Sequence, residues 1–90
     1  MKHVLFYEPA DDVLAKAMPL MEQHGERLDA FQQRGDLLLV GTFADPQRDG
    51  SMSVWRSREA ALEFVAGDPF VREGAVRGWR LLEWNETLQP

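Results

Sequence analysis

His24 is the residue with the clearest potential for acid–base chemistry in this sequence. At about 100° per residue, it falls near the middle of an apolar helical face. The other members of that face are Ala17, Leu20, Met21, Leu28 and Phe31. One interpretation is a core histidine whose ring nitrogens both find partners and join helix to sheet. The other is a general acid or base, because an ordinary imidazole titrates near pH ~6.5.

Asp68 is the second candidate for chemistry. It follows Gly67, which is typical of a helix end, and precedes Pro69, which favours the first position of a helix. One interpretation is therefore an N-cap residue. The other is a carboxylate that orients His24 and balances the charge of its imidazolium form. The spacing alone does not decide whether the two side chains meet, but we expect them to lie within hydrogen-bond distance.

Few other residues offer chemistry. Ser51 and Ser53 alternate on one side of a predicted strand, where they are ordinary strand residues or line a pocket. Arg27 lies one turn after His24 and is either a solvated cation or a group at the rim of a pocket. His3 and His24 have no partners at metal-ligand spacing, and no glycine-rich phosphate loop is present. We therefore predict no metal and no cofactor.

Size and charge restrict the function further. The 90 residues make 10.3 kDa and carry a formal charge of −5, which disfavours nucleic acid and anionic membrane surfaces as partners. The absence of cysteine excludes a disulfide framework and a thiolate nucleophile. A small domain without such staples is commonly stabilised by oligomerisation. The N-terminus lacks a signal-peptide pattern and no apolar run is long enough to span a membrane, so we expect a cytoplasmic protein.

The elements that must position these residues follow from the pattern of apolar, turn and capping residues. Strands are predicted over residues 4–7, 36–43, 51–56 and 76–84, and longer helices over 19–33 and 57–67. Short helical turns are predicted over 11–16 and 68–73, a polar connection over 44–50 and a loose tail over 85–90. The order predicts a single ferredoxin-like α+β domain over 1–90, with a four-stranded antiparallel sheet and both helices on one face.

The strands are apolar on both sides, which predicts a partner for the sheet. The second strand carries Leu37, Leu39 and Phe43 on one side and Leu38 and Val40 on the other. A sheet that is apolar on both faces must bury both. A second copy of the chain is the natural cover, so we predict a homodimer. The alternative is a sheet that curls and partly closes on itself.

Five short stretches together resemble a known family. They are His24-x-x-Arg27-Leu28, Gly35-x-Leu37-Leu38-x-x-Gly41, Gly50-Ser51-Met52-Ser53-Val54, Ala60-Ala61-Leu62-Glu63-Phe64 and Asp68-Pro69-Phe70-Val71-x-x-Gly74. Over nearly its whole length the sequence resembles the YCII-related family. The Asp-Pro-aromatic element with its following glycine, taken together with the histidine, is the most specific part of the match.

The resemblance implies a ferredoxin-like monomer that pairs into a dimeric α+β barrel. It also implies that His24 and Asp68 match the His-Asp pair of the family's active site, working without a cofactor. The activity attached to the family is dehydrochlorination of a chlorinated hydroxyhydroquinone. A lyase or isomerase acting on a small aromatic substrate is therefore the first functional hypothesis.

Four further residues are expected to contact such a substrate: Arg27, Ser51, Ser53 and Phe70. The second hypothesis is a non-catalytic module that binds a small molecule or only dimerises, because a fold does not determine a function. In that case His24 and Asp68 would form a structural hydrogen bond. A cavity of a few hundred Å³ beside the pair favours the enzyme, and a buried pair without one favours the module.

Overall fold

One antiparallel sheet of four strands organises the computed structural model, which describes residues 1–90. The strands are β1 (Lys2–Pro9), β2 (Leu37–Thr42), β3 (Ser51–Trp55) and β4 (Val76–Trp84). Their spatial order is β2-β3-β1-β4, so β1 lies between β3 and β4. This is the strand order of a ferredoxin-like sheet, and the predicted α+β fold class is confirmed.

Two longer helices cover one face of this sheet. They are α2 (Met21–Gln33) and α4 (Arg58–Gly67), and the Ser57 hydroxyl caps α4 by accepting from the backbone N–H of Ala60 at 3.1 Å. Three one-turn helices complete the chain: α1 (Val13–Ala17), α3 (Pro46–Asp49) and α5 (Pro69–Arg72). Residues 85–90 form no helix or strand, although Glu86 forms an ion pair with Lys2.

The structure differs from the predicted boundaries at two helix starts. Pro19 lies in a short 3-10 turn, Met18–Leu20, so α2 begins at Met21 and not at the proline. Asp12 occupies the N-cap position of α1 without a side-chain hydrogen bond to the helix. Its carboxylate lies 3.6 Å from Nζ of Lys16, one turn later. Asp12 therefore faces the exposed Lys16, and the first turn of α1 has no side-chain cap.

The predicted polar connection between the second and third strands contains the helix α3. The Asp45 carboxylate caps it by accepting from the backbone N–H of Arg48 at 3.3 Å. Pro46 stands at its first position, where a missing N–H costs nothing. The cap and the proline together account for a helical turn in a segment whose composition indicated only a loop.

A β-bulge changes which residues of β2 share a face. The register shifts between Leu37, which pairs with Trp55, and Leu39, which pairs with Val54. Directly paired residues lie on the same side of a sheet, so Leu37 and Leu39 point to opposite faces. Their predicted placement on one side was wrong, because the extra residue Leu38 interrupts the alternation.

Aromatic rings fill the space between the sheet and the helices. The Trp55 ring lies 4.9 Å from that of Phe64 and 5.7 Å from that of Phe31, measured between centroids. Phe31 and Phe64 meet edge to face at 5.4 Å. Leu5 is buried in the same cluster. These contacts join α2 and α4 to the strands, and we call this side of the sheet, marked by Leu5, Tyr7 and Trp55, the helix-covered face.

The opposite side of the sheet, the helix-free face, is also apolar. A shallow groove of about 300 Å³ runs along it. Its lining residues are Val4, Phe6, Met52, Leu82, Glu83 and Trp84. Leu82 and Trp84 remain 47% and 48% exposed. Apolar residues therefore occupy both faces of the sheet, but the chain covers only one of them.

Candidate active site

The structure brings His24 and Asp68 together although they lie 44 positions apart in the sequence. Nδ1 of His24 and Oδ1 of Asp68 are 2.8 Å apart. His24 lies on the first turns of α2, and Asp68 stands at the junction between α4 and α5. Because α2 and α4 pack on the same face of the sheet, the end of α4 is carried beside the start of α2.

Asp68 is completely buried and serves two functions at once. Its Oδ1 accepts the Nδ1–H of His24 and, at 3.1 Å, the backbone N–H of Phe70, so it is also the N-cap of α5. Its Oδ2 accepts the hydroxyl proton of Tyr7 at 2.6 Å. Asp68 is therefore both a helix cap and the hydrogen-bond partner of His24, so the two placements do not exclude each other. Three donors surround the carboxylate, which as an ion can only accept hydrogen bonds.

The hydrogen bond to Asp68 assigns the proton of the neutral His24 ring to Nδ1, which leaves the lone pair on Nε2. Every buried side-chain nitrogen or oxygen in the chain has a hydrogen-bond partner. Nε2 of His24 makes no hydrogen bond within the chain. Since no buried side-chain nitrogen lacks a partner, Nε2 is not fully buried and contacts solvent. This agrees with a side chain that is 15% exposed. A proton can therefore reach or leave Nε2.

Two phenylalanines hold the imidazole ring in its plane. Phe70 stacks on His24 with a centroid separation of 3.7 Å and an angle of 7° between the rings. Phe64 meets the imidazole edge to face at 6.1 Å. Phe70, one of the expected substrate contacts, thus lies flat against the histidine itself. The histidine ring is fixed by stacking on one side and by hydrogen bonding at Nδ1.

A small cavity opens beside this cluster. Its lining residues are Leu5, Tyr7, His24, Leu28, Val40, Ser51, Met52, Ser53 and Phe64. Its volume is about 20 Å³, which is room for about one water molecule. Ser51 and Ser53 both line it, and the Ser53 hydroxyl also accepts from Nε1 of the buried Trp55 at 2.7 Å. The two serines therefore share a cavity with His24.

Arg27 does not line this cavity. Its guanidinium donates to the carbonyl oxygens of Glu63 at 2.8 Å and Phe64 at 3.2 Å, near the end of α4. It lies so close to Gly67 that a Cβ there would come within 2.4 Å of Nη2. Arg27 thus joins α2 to the end of α4, one residue before Asp68. In this structure it contacts the scaffold of the site and not the cavity.

Tyr7 is the member of the site that sequence reasoning missed. It lies on β1, on the helix-covered face, and its hydroxyl reaches Asp68. Burial, reinforced by the nearby Asp68 carboxylate, raises the pKa of the Tyr7 phenol far above its usual range, so the hydroxyl remains a donor. A signal was present, because the only tyrosine of the chain falls on the same strand face as Leu5. A buried phenol needs a hydrogen-bond partner.

The site contains donors for acid–base chemistry and no metal-ligand cluster. No group of three His, Cys, Asp or Glu side chains lies together in a way that could hold a metal ion. The His24–Asp68 pair can accept or donate a proton at Nε2 of His24, while Asp68 holds the other side of the ring.

None of the helices has both the length and the apolarity needed to span a membrane.

Comparison with known proteins places the chain in a family. The model of the YCII-related domain matches residues 1–85, so the chain belongs to the YCII-related domain family, as its motifs indicated. Among curated proteins, none matches the sequence.

Two solved structures share the fold. One is 5-chloro-2-hydroxyhydroquinone dehydrochlorinase (TftG) from Burkholderia phenoliruptrix, in complex with 2,5-dihydroxybenzoquinone. It is 18% identical over 94% of each chain, with a TM-score of 0.73. The other is an antibiotic biosynthesis monooxygenase, 17% identical over 97% of this chain and 98% of that one, with a TM-score of 0.55. At these identities, the likeness shows a common fold.

Proposed function

We propose that this protein is a small cofactor-independent enzyme of the lyase or isomerase type, in which His24 and Asp68 form an acid–base pair. The observation that carries the proposal is the 2.8 Å contact between Nδ1 of His24 and Oδ1 of Asp68, with Nε2 open to solvent. A base needs a free lone pair and a fixed ring, and this site provides both.

In the proposed reaction, Nε2 of His24 removes a proton from a phenolic hydroxyl or an activated carbon of a small aromatic substrate. Asp68 keeps the other ring proton on Nδ1 and balances the positive charge that forms on the imidazole. General base catalysis of this kind contributes typically ~10²–10⁴-fold to a rate. Ser51 and Ser53, which line the same cavity, are proposed to contact the substrate. Phe70, which stacks on the His24 ring, is proposed to contact it as well. Arg27 is proposed to reach the substrate only if its guanidinium leaves the end of α4.

The specific reaction we propose is dehydrochlorination of a chlorinated hydroxyhydroquinone. The net change is loss of HCl: two phenolic hydroxyls become the carbonyls of a hydroxyquinone and release two protons, and one of these protons forms a C–H bond at the ring carbon that carried chlorine. The carbon–chlorine bond breaks with its electron pair leaving on chloride, and the second proton leaves through Nε2 of His24. Replacement of the C–Cl bond by a C–H bond balances the oxidation of the two hydroxyls. No external oxidant is required. The fold shared with the dehydrochlorinase, at a TM-score of 0.73, supports this choice of substrate class.

The size of the cavity favours a second candidate, a non-catalytic binding or dimerisation module. A space of about 20 Å³ holds one water molecule, while sites for drug-sized ligands are roughly 300–1,000 Å³. An aromatic substrate therefore enters only if side chains around His24 move. In the module, the Tyr7–Asp68–His24 hydrogen bonds would serve to hold α2 and the end of α4 on the sheet.

We also propose that the protein is a homodimer whose sheets meet through the helix-free face. The half-exposed Leu82 and Trp84 and the apolar groove beside them support this arrangement. Exposed apolar patches of this kind mark association surfaces on small soluble proteins. The active site would remain open in such a dimer, because His24 lies on the other side of the sheet.

The test is turnover of a chlorinated hydroxyhydroquinone, followed as quinone formation and chloride release. His24→Ala should lower kcat at least ~10²-fold, the low end for removal of a general base. Asp68→Asn should also slow the reaction, because an amide cannot balance an imidazolium ion. Asn caps a helix about as well as Asp, so α5 should persist, but the amide NH2 then faces one of the three donors around this buried position and some loss of stability is expected as well.

His3→Ala is the matched control, because it removes the other imidazole without touching the site. Thermal melts accompany each variant, and His24→Ala should cost about 1–3 kcal/mol of stability. Equal turnover by the wild type and both site variants would contradict the acid–base pair. Binding of 2,5-dihydroxybenzoquinone without any turnover by the wild type would favour the module.

A further inference from the structure

Tyr7 controls how the Asp68 carboxylate is shared among its partners. The phenol donates to Oδ2 at 2.6 Å, while His24 and the backbone N–H of Phe70 both donate to Oδ1. Both Tyr7 and Asp68 are buried, and Asp68 is completely shielded from solvent. With Oδ2 occupied, the lone pairs of Oδ1 are left for the histidine.

The backbone holds Tyr7 in place with little freedom. Tyr7 pairs with Ser51 on β3 and with Trp79 on β4, so its strand is bounded on both sides. Gly50, just before β3, has a φ of +76°, and a Cβ on it would lie 2.0 Å from the carbonyl oxygen of Tyr7. Because a glycine has no Cβ and tolerates a positive φ, β3 can begin directly against the Tyr7 backbone of β1.

We propose that Tyr7 is a positioning residue for the acid–base pair. By holding Oδ2 of Asp68, it keeps Oδ1 facing Nδ1 of His24 and so maintains the imidazole tautomer that presents a lone pair at Nε2. Its effect on a reaction rests on the proposed function, but its effect on the tautomer of His24 does not. A merely structural tyrosine would stabilise the fold and leave that tautomer unchanged.

The first experiment measures the tautomer directly by nitrogen NMR of the imidazole rings, with no substrate present. The spectra are recorded near pH ~9, well above the ordinary histidine titration at ~6.5. Wild-type His24 should be protonated at Nδ1, and Tyr7→Phe should give a mixture of the two tautomers. His3→Gln assigns the signals, since the chain has only two histidines.

Ser57→Ala is the control for a general loss of stability. It removes a side-chain hydrogen bond at the other end of α4, where the Ser57 hydroxyl accepts from Ala60, and should leave the His24 tautomer unchanged. If Tyr7→Phe retains only the Nδ1 tautomer while folded, the proposal is wrong. If Ser57→Ala alters the tautomer as much as Tyr7→Phe does, a specific role for Tyr7 is also wrong.

A second measurement applies even if Tyr7→Phe fails to fold. Because Tyr7 is the only tyrosine, the chain can be produced with 3-fluorotyrosine, which keeps the hydroxyl and changes its strength as a donor. The His24 Nδ1 signal should then shift relative to the unlabelled protein, while the His3 signal should not. An unchanged His24 signal would overturn the proposal.

Turnover gives the last readout. Tyr7→Phe should lower kcat about tenfold, as expected when a residue that orients a functional side chain is removed, with KM changed much less. A rise in KM alone would identify Tyr7 as a substrate contact and overturn the positioning role. If the wild type shows no turnover but the tautomer of His24 still depends on Tyr7, the proposed function is contradicted and the positioning role is supported.

Discussion

Both faces of the sheet carry apolar side chains, but the helices of the chain cover only one of them. On the helix-covered face, Leu5, Trp55 and Phe64 are buried under α2 and α4, and every buried polar side-chain atom has a partner. On the helix-free face, Leu82 and Trp84 remain about half exposed. The chain thus covers most of one face with its own helices, although Trp79 on that face is still 40% exposed, and it places no helix on the other.

In the proposed dimer, this difference assigns folding to one face of the sheet and assembly to the other. The Tyr7–Asp68–His24 hydrogen bonds lie on the completed side, where a dry environment excludes water from the contacts between them. The helix-free face has no comparable hydrogen-bonded cluster: its groove is mainly apolar, and the Arg80 guanidinium lies over the ring of Phe6. Substitutions on the two faces are therefore expected to have different consequences, and matched leucines allow the comparison.

The largest effect on stability is expected from Leu5→Ala on the helix-covered face. Leu5 is almost completely buried in the core cluster, so its removal should cost about 2–5 kcal/mol in the free energy of unfolding. Chemical denaturation at several protein concentrations measures it, and the loss should not depend on concentration. A cost below about 1 kcal/mol would show that this face is not the core on which folding depends.

Leu82→Glu on the neighbouring strand should act on assembly. Light scattering should give twice the chain mass of 10.3 kDa for the wild type and a single chain for the variant, because a carboxylate in an apolar interface is costly. Leu88→Glu is the control, since Leu88 is 90% exposed outside the sheet. A wild type that is monomeric at micromolar concentration would contradict the dimer and leave the face uncovered.

The smallest effect is expected from Glu63→Gln on the outer surface of the helices. Arg34, the C-cap residue of α2, donates to both Glu63 oxygens, at 2.9 and 3.1 Å, and this hydrogen bonding lowers the pKa of Glu63 below its usual range. A folded pKa below the unfolded one stabilises the protein above the unfolded pKa. That contribution is lost as the pH falls through the folded value.

Because the pair is exposed, we expect only a slight fall in melting temperature for Glu63→Gln at neutral pH and none in acid or at high salt. Glu26→Gln, at an exposed position in the middle of α2 and without an ion pair, should melt as the wild type does. A large fall for Glu63→Gln would mean that surface charge, and not the aromatic core, holds the helices in place.

Much of the fold could be predicted from local patterns. Alternation and capping residues predicted the order of strands and helices, because these signals act between residues a few positions apart. The β-bulge at Leu38 and the helical turn over Pro46–Asp49 were missed. The bulge depends on how β2 meets β3, which no short stretch of residues records. The helical turn does have a local signal, the Asp45 cap followed by Pro46, which the polar composition of the segment concealed.

By itself, the sequence determined the element order, the apolar character of both sheet faces and the two residue types suited to acid–base chemistry. Only the tertiary structure decided that Asp68 is at once a cap for α5 and a partner for His24, that Tyr7 completes the cluster, and that Arg27 holds α4. Periodicity specifies which face a side chain occupies. Which side chains meet across that face depends on packing between elements that are distant in the chain.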